Sequence, residues 1–383
     1  MTAMTAAPET AYKTKFERFI TGEANAELAE ERRRAFKHFE ENGFPTPTLE
    51  DWKYTNPAIA KEFDTVIRPV VPVNGNFDRE ALGILKRFDS FRNGFTSLNA
   101  AFAEISVIRI PKETALAEPI VLNFTSDDEA AAFPHVIVIA EAGSKATIVE
   151  HYDSERQSFT NAAVQIVIED NAAVRHYRVQ KDSLDAFNYG VTEVTIGRGA
   201  SYDATSINLG GALSRHDIDV KFTAEGGEAW VDGLFMLDGA QHHDTHSILD
   251  HTVPNCTSHQ TYRGVLNGDS RGVFNGKVFV RRGAHGTDAE QSNKNLLLSN
   301  TARVDTKPQL EIFNEDVKCS HGATVGQLEE EELFYLLTRG LPEQLARNLL
   351  TYGFAEEIIN KIEIDSIKQD LDAAVLNRLN AEI

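Results

Sequence analysis

The chain has 383 residues, 42% of them hydrophobic, and a formal charge of −20. That length can bury a large core, while the acidity argues against a nucleic-acid partner, whose affinity would come from Lys and Arg displacing counterions; the basic runs Arg32-Arg33-Arg34 and Arg281-Arg282 are too short to reverse this. No apolar run reaches the roughly 18–20 residues that span a bilayer, Met1–Thr10 lacks secretion or transit character, and two cysteines, Cys256 and Cys319, are too few for a disulfide framework, so a cytoplasmic protein with free thiols and no membrane partner is expected.

In chain order, the first helical stripe runs between Ala24 and Asn42, with Leu28, Arg32, Ala35, Phe36 and Phe39 on one face and Asn42-Gly43 and Pro45 as its stop. A second is expected from Asp78 to Phe91, carrying Leu82, Leu85 and Phe88. From about Ile105 the apolar period switches to two, as in His135–Ile139 and Val164–Ile168. Four stretches then align on one another at about 28 residues, through Ala146-Thr147, Ala173-Val174, Ser201-Tyr202 and Ala229-Trp230. A strand-rich unit of that length cannot bury its apolar face alone, so the repeat predicts a stacked β-solenoid, with an antiparallel meander or sandwich as the alternative. The more polar stretch from Gln241 to Ser299 reads as coils carrying insertions or an exposed site.

After Gln327 the helical period returns. Leu333, Phe334, Leu336 and Leu337 precede Gly340 as a C-terminal stop, Pro342 opens the next helix with Leu345, Leu349 and Leu350, and Ile367 to Leu379 form a last amphipathic helix. The expected organisation is an N-terminal helical domain over 1–104, a β core over 105–327 and a C-terminal helical domain over 328–383. Helices at each end should cap the exposed sheet edges of a solenoid, and either end could dock a partner.

Two clusters could carry chemistry. In Gln241–His251, alternation along a strand places His242, Asp244 and His246 on one face, which reads first as a polar ladder or hydrogen-bonded turn and second as an accessory divalent-metal site. In Cys319-Ser320-His321, residues two apart project to the same side of a strand, so an imidazolium beside the thiol would favour the thiolate. Cys256 has no CxxC company and reads as structural. Gly276-Lys277 is followed by Val278, so the phosphate-cradling loop is missing and the chain should not bind or hydrolyse ATP.

Several segments in fixed order resemble the SufB/SufD scaffold subunits of the Suf iron–sulfur cluster assembly machinery. They are Glu50-Asp51-Trp52-Lys53-Tyr54-Thr55, Leu98–Phe102 with Ile108–Pro111, Asn293–Leu298, Pro308–Ile312, Val317–Thr324 and Leu333–Leu341. Ser299 to Ile312 lacks the sulfur-accepting cysteine carried by the SufB branch, and Cys319-Ser320-His321-Gly322 is similar to the SufD form. The resemblance implies a mainly β protein with a right-handed parallel β-helix core between helical terminal domains. It also implies a non-catalytic scaffold subunit that pairs with a SufB-like paralogue and a SufC-like ABC ATPase. A transient iron–sulfur cluster would be shared with the partner at His321 and Cys319. The ATPase would dock near Leu333, Phe334, Tyr335, Arg339 and Gly340.

A flavin in the complex and a homodimer of this chain stay open. Two other classes compete: a β-helix enzyme acting on polysaccharide, with Asp244 and Asp250 as acid and base, and a metal-binding enzyme built on His242–His246.

Overall fold

The computed structural model describes residues 9–58, 76–124 and 131–379. Most of Met1–Thr10, on which the reading of no leader rests, lies outside them. The chain opens with α1 (Glu9–Ile20) and α2 (Ala26–Asn42), then a 3-10 turn (Glu50–Trp52), α3 (Arg79–Leu85) and α4 (Gly94–Phe102). The first strands are β1 (Glu104–Ile110), β2 (Ile120–Asn123), β3 (Ala131–Ala132), β4 (Pro134–Ala140), β5 (Lys145–Tyr152), β6 (Phe159–Ile168) and β7 (Ala173–Gln180). They continue as β8 (Phe187–Ile196), β9 (Ser201–Asn208), β10 (Leu213–Phe222), β11 (Glu228–Leu237) and β12 (His242–His251). The last are β13 (Thr257–Leu266), β14 (Arg271–Val280), β15 (Thr287–Leu297), β16 (Arg303–Ile312) and β17 (Val317–Gly326), followed by α5 (Glu330–Thr338), α6 (Glu343–Ile359) and α7 (Asp365–Arg378).

Apart from the short β3, successive strands alternate between two sheets. One has the order β1-β4-β6-β8-β10-β12-β14-β16, with β3 beside β6; the other runs β17-β15-β13-β11-β9-β7-β5-β2. Every pairing of named strands is parallel, for example Ala146↔Val174 and Val174↔Tyr202. This is the stacked solenoid, and the antiparallel alternative falls away. The alignment read from the repeat slips by one residue in its first and fourth units: Lys145 and Glu228, not Ala146 and Ala229, share the row of Ala173 and Ser201. A one-residue slip reverses which side chains face inward. The register therefore turns Ala146, Val174, Tyr202 and Ala229 into the core, where all four are buried.

The polar stretch 241–299 carries unbroken strands β12 to β15 and is part of the stack. The expected helix from Asp78 to Phe91 is shorter. Asp78 caps α3, whose last residue is Leu85, and a separate helix, α4, begins at Gly94 under an Asn93–Thr96 capping box. Gly340 has φ of 89°, the left-handed geometry that ends α5, as its place after Leu337 predicts.

The helices do not cap the solenoid's far end. Those of the N-terminal part cover the outer face of the first sheet, where Phe95, Phe102 and Trp52 join Phe133, Phe159 and Tyr189 in one apolar cluster. Helices α6 and α7 cover the outer face of the second sheet: Ile358, Ile359, Leu371 and Val375 pack with Tyr177, Ile207 and Leu234. Each sheet presents an apolar patch on its outer face that a helix can bury, which removes more surface from water than a thin coil end would. Among the described residues, edge strands β16 and β17 each pair on one side only.

Within the core His251 stacks on Phe222 at 4.4 Å between ring centroids, and its Nε2 meets Ser258 Oγ at 2.8 Å. Burial lowers its pKa to about 4, against a small opposing pull from Asp250. Between pH ~6.5 and that value the unfolded chain takes up a proton the native imidazole refuses, so this residue's contribution to stability falls as the pH falls. At about 1.4 kcal/mol per unit, a His251→Phe variant should lose about 3 kcal/mol less unfolding free energy than the parent between pH 7 and pH 4. Parallel pH profiles in urea melts would refute this.

Candidate functional site

The terminal coil brings the predicted thiol and imidazole to the open end. In β17, Cys319 stands in register with Ala289 and His321 with Gln291, and both of those β15 residues are buried. Cys319 and His321 therefore belong to the row that faces inward along the solenoid. No further coil among the described residues covers it, so His321 is exposed, while Cys319 is half-buried against the apolar core. Ile312, Phe313 and Val325 are also exposed on this coil. The expected activation of the thiol has no support in this geometry. Burial raises the Cys319 pKa, Asp288 adds to it, and the Ala289 backbone N–H opposes both. The same-side placement holds, but Cys319 is a neutral thiol at neutral pH.

Helix α5 has no buried residue. Phe334 and Tyr335 are 67% and 56% exposed, and the Arg339 guanidinium lies 5.1 Å from the centre of the Tyr335 ring. Leu333, Phe334, Tyr335, Arg339 and Gly340 thus form an outward-facing apolar and aromatic segment.

His242, Asp244 and His246 do share one face, the outer face of β12, but their partners come from elsewhere in the sequence. Thr55 Oγ1 donates to Asp244 Oδ2 at 2.6 Å and meets His242 Nε2 at 2.9 Å. Arg215 donates from Nη1 to Asp244 Oδ2 at 3.0 Å and from Nε to Asp217 Oδ1 at 2.8 Å. His246 Nε2 lies 3.1 Å from Asp244 Oδ1. Burial opposes the charge on Asp244, yet His246, Arg215 and the Thr55 hydroxyl together hold its pKa far below the carboxylate range.

Among the described residues no group of three or more His, Cys, Asp or Glu is arranged to hold a metal ion. The cluster is instead the bed for the segment Glu50–Thr55. Trp52 lies under the Arg215 guanidinium at 3.9 Å and stacks on Phe95 at 5.4 Å; the Asp51 carbonyl accepts from Arg215 Nη1 at 2.6 Å. Asp51 also reaches Lys277, and Glu50 reaches Lys307 in the terminal coil. A cleft of about 470 Å³ beside this strap is lined in part by Arg92, Arg215 and Lys277. Each of these is paired with a carboxylate: Arg92 with Asp219, Arg215 with Asp217 and Lys277 with Asp51.

Arg215 was missed in the sequence. Its signal was an Arg and an Asp two apart on one strand face, Arg215-His216-Asp217. Replacing Thr55 by Val should cost about 1–3 kcal/mol, because it leaves buried Asp244 short of a donor. Urea unfolding at pH 7 checks this.

The architecture defines a parallel β-solenoid with helices laid along its two outer faces. Residues 123–354 match the family model described as "SUF system FeS cluster assembly, SufBD core domain", and residues 9–70 match "SufBD protein N-terminal region". An iron–sulfur cluster assembly SufBD family protein of Synechocystis is 36% identical over 73% of this chain and 65% of its own length, just under two thirds. The iron–sulfur cluster assembly protein SufD of Escherichia coli is 32% identical over 80% of this chain and 74% of its own length. A chloroplastic protein of Arabidopsis thaliana, ABCI7, is 34% identical over 70% of this chain and 59% of its own. The chain belongs to the SufBD family of iron–sulfur cluster assembly proteins and is a homologue of SufD. No helix among the described residues is long and apolar enough to cross a membrane.

Proposed function

We propose that this chain is a non-catalytic scaffold subunit whose open solenoid end joins a sister solenoid of SufB type, with nascent iron–sulfur clusters forming at that seam. The observation that carries the reading is the terminal coil. Among the described residues two strand edges lie unpaired there, and an inward-facing row holding Cys319 and His321 is left uncovered. Unpaired edges with exposed Ile312, Phe313 and Val325 are a liability in a free monomer and a template for continuing both sheets into a partner. A lasting seam of this kind buries on the order of 2,000 Å² or more. A cluster ordinarily takes about four ligands, mostly thiolates, and this chain has two distant cysteines, one of them buried. The cluster, as cargo, would therefore draw most of its ligands from the partner, with His321 as this chain's ligand or base and Cys319 in a lesser role.

ATP hydrolysis would belong to an ABC-type ATPase seated on α5. Helix α5 carries large apolar side chains that are exposed among the described residues. Purification of the tagged chain from its native cells tests the reading: a longer paralogue and an ABC-type ATPase should come with it in stoichiometric amounts. A Phe334→Glu/Tyr335→Glu variant should lose the ATPase at least tenfold and keep the paralogue. Recovery of the chain alone, or of both partners on the double variant, would overturn the assignment.

A further inference from the structure

The interior of the solenoid is divided. One half is apolar, built from residues such as Val138, Ile166, Val194, Val220 and Leu249. The other half carries two polar stretches, separated at β11 by Gly233 and Phe235. At its inner end Glu150 accepts from Tyr152 and from His176, whose other ring nitrogen meets the Tyr202 hydroxyl at 2.8 Å. Arg178, 3% exposed, donates from Nη2 to Asn188; its Nε lies 4.0 Å from Glu150 Oε2, an ion pair too long for a hydrogen bond, and Nε and Nη1 have no hydrogen-bond partner. His216 Nδ1 is likewise unpartnered. Further along, the Tyr262 hydroxyl, Gln260 Nε2 and Gln291 Oε1 are buried and unpartnered. Gln291 stands in register between Gln260 and His321, and its Nε2 donates to Gln260 Oε1 at 2.6 Å.

Glycines on the inner wall make room for these side chains. A Cβ on Gly233 would stand 2.3 Å from the Tyr262 ring, and one on Gly276 2.3 Å from Gln291 Nε2. Tyr262 thus leans across its neighbouring coil at Gly233 and bridges the inner and outer stretches of polar side chains.

Magnitude decides how these atoms are satisfied. A dry, buried, unpartnered polar atom costs roughly 1–3 kcal/mol. Six of them together would rival the whole stability of a domain, about 5–15 kcal/mol. Reassigning the amides does not help, since one amide–amide bond always leaves a donor and an acceptor over, and a guanidinium can only donate. Water bonded to several such groups relieves the cost. We infer that the polar half of the solenoid interior holds a file of internal water, running from Arg178 past Tyr262 and Gln291 to open at the terminal coil beside His321. From β7 to β17 that is five strand steps of ~4.8 Å, about 24 Å. If the terminal coil is covered as proposed above, this file keeps His321 in proton exchange with water from within the chain. The water file itself does not depend on that reading.

The test uses the full chain without a partner. Oxygen-17 relaxation dispersion counts long-lived internal waters in solution, and a high-resolution crystal structure places them. The expected result is ordered water on Arg178, Tyr262 and Gln291, with loss of the Tyr262 site in Tyr262→Phe and of the Gln291 site in Gln291→Leu. Unchanged water counts in both variants, or a parent chain dry at these atoms, would overturn the inference. Because neither readout involves cluster assembly, a chain that holds the water but fails to draw partners from cells would sink the functional proposal alone.

Discussion

A His321→Ala chain should fold, assemble and yet leave cells without matured iron–sulfur clusters. The side chain is exposed on the last coil, with no hydrogen bond or ion pair to another residue among those described. Surface truncation away from caps and buried pairs usually moves stability by less than about 0.5 kcal/mol. The thermal midpoint and co-purifying partners should therefore match the parent. Cluster-dependent enzyme activity in cells that rely on this chain should fall at least tenfold. Cys319→Ser should cost less, because burial and Asp288 already hold this thiol protonated, a poor state for a ligand or nucleophile. Normal maturation by His321→Ala would remove the imidazole from the proposed seam.

The largest stability effect should come from Arg215→Met. The guanidinium is 4% exposed, ties Asp217 to Asp244 and supports the Asp51 carbonyl and the face of Trp52. Burial alone would lower its pKa, but the two aspartates outweigh that and raise it, while the same charge helps hold both carboxyls down. Removing one partner of such a buried set strands the others, at about 3–5 kcal/mol. Urea unfolding at pH 7 should show that loss. Asp217→Asn and Asp244→Asn added to the same chain should restore much of it, since the stranded charges are then gone. A loss below about 1 kcal/mol would mean that solvent already reaches these carboxylates.

The coil repeat was legible because stacking requires the same inward positions in each turn, so that composition echoes down the chain. Its exact register was not, because the turns differ by a residue and small residues stand on both sides of them. The helical stripes around Phe36 and Leu371 were legible as amphipathic. A stripe says that a face is buried and nothing about where, and the cap assignment failed for that reason. The His242–His246 run was legible as one face of a strand. Its partner Thr55 lies 187 residues from His242 and 189 from Asp244, and no local pattern links them. At Cys319 and His321 the period of two gave their common side. Their accessibility follows from β17 being an edge strand among the described residues, which is a property of the stack and not of the tripeptide.

The strap Glu50–Thr55 also sets an order of events during synthesis. Its anchors Arg215, Asp244, Lys277 and Lys307 are made long after it, Lys307 fully 257 residues later than Glu50. Contacts that remote form slowly, since a long loop must close first. A growing chain can thus stack its early coils while the strap's tryptophan still waits for a seat. Ribosome-bound fragments ending before β10 should expose that indole to chaperones, and chains grown past Arg215 should be the first in which Trp52 is shielded from quenchers.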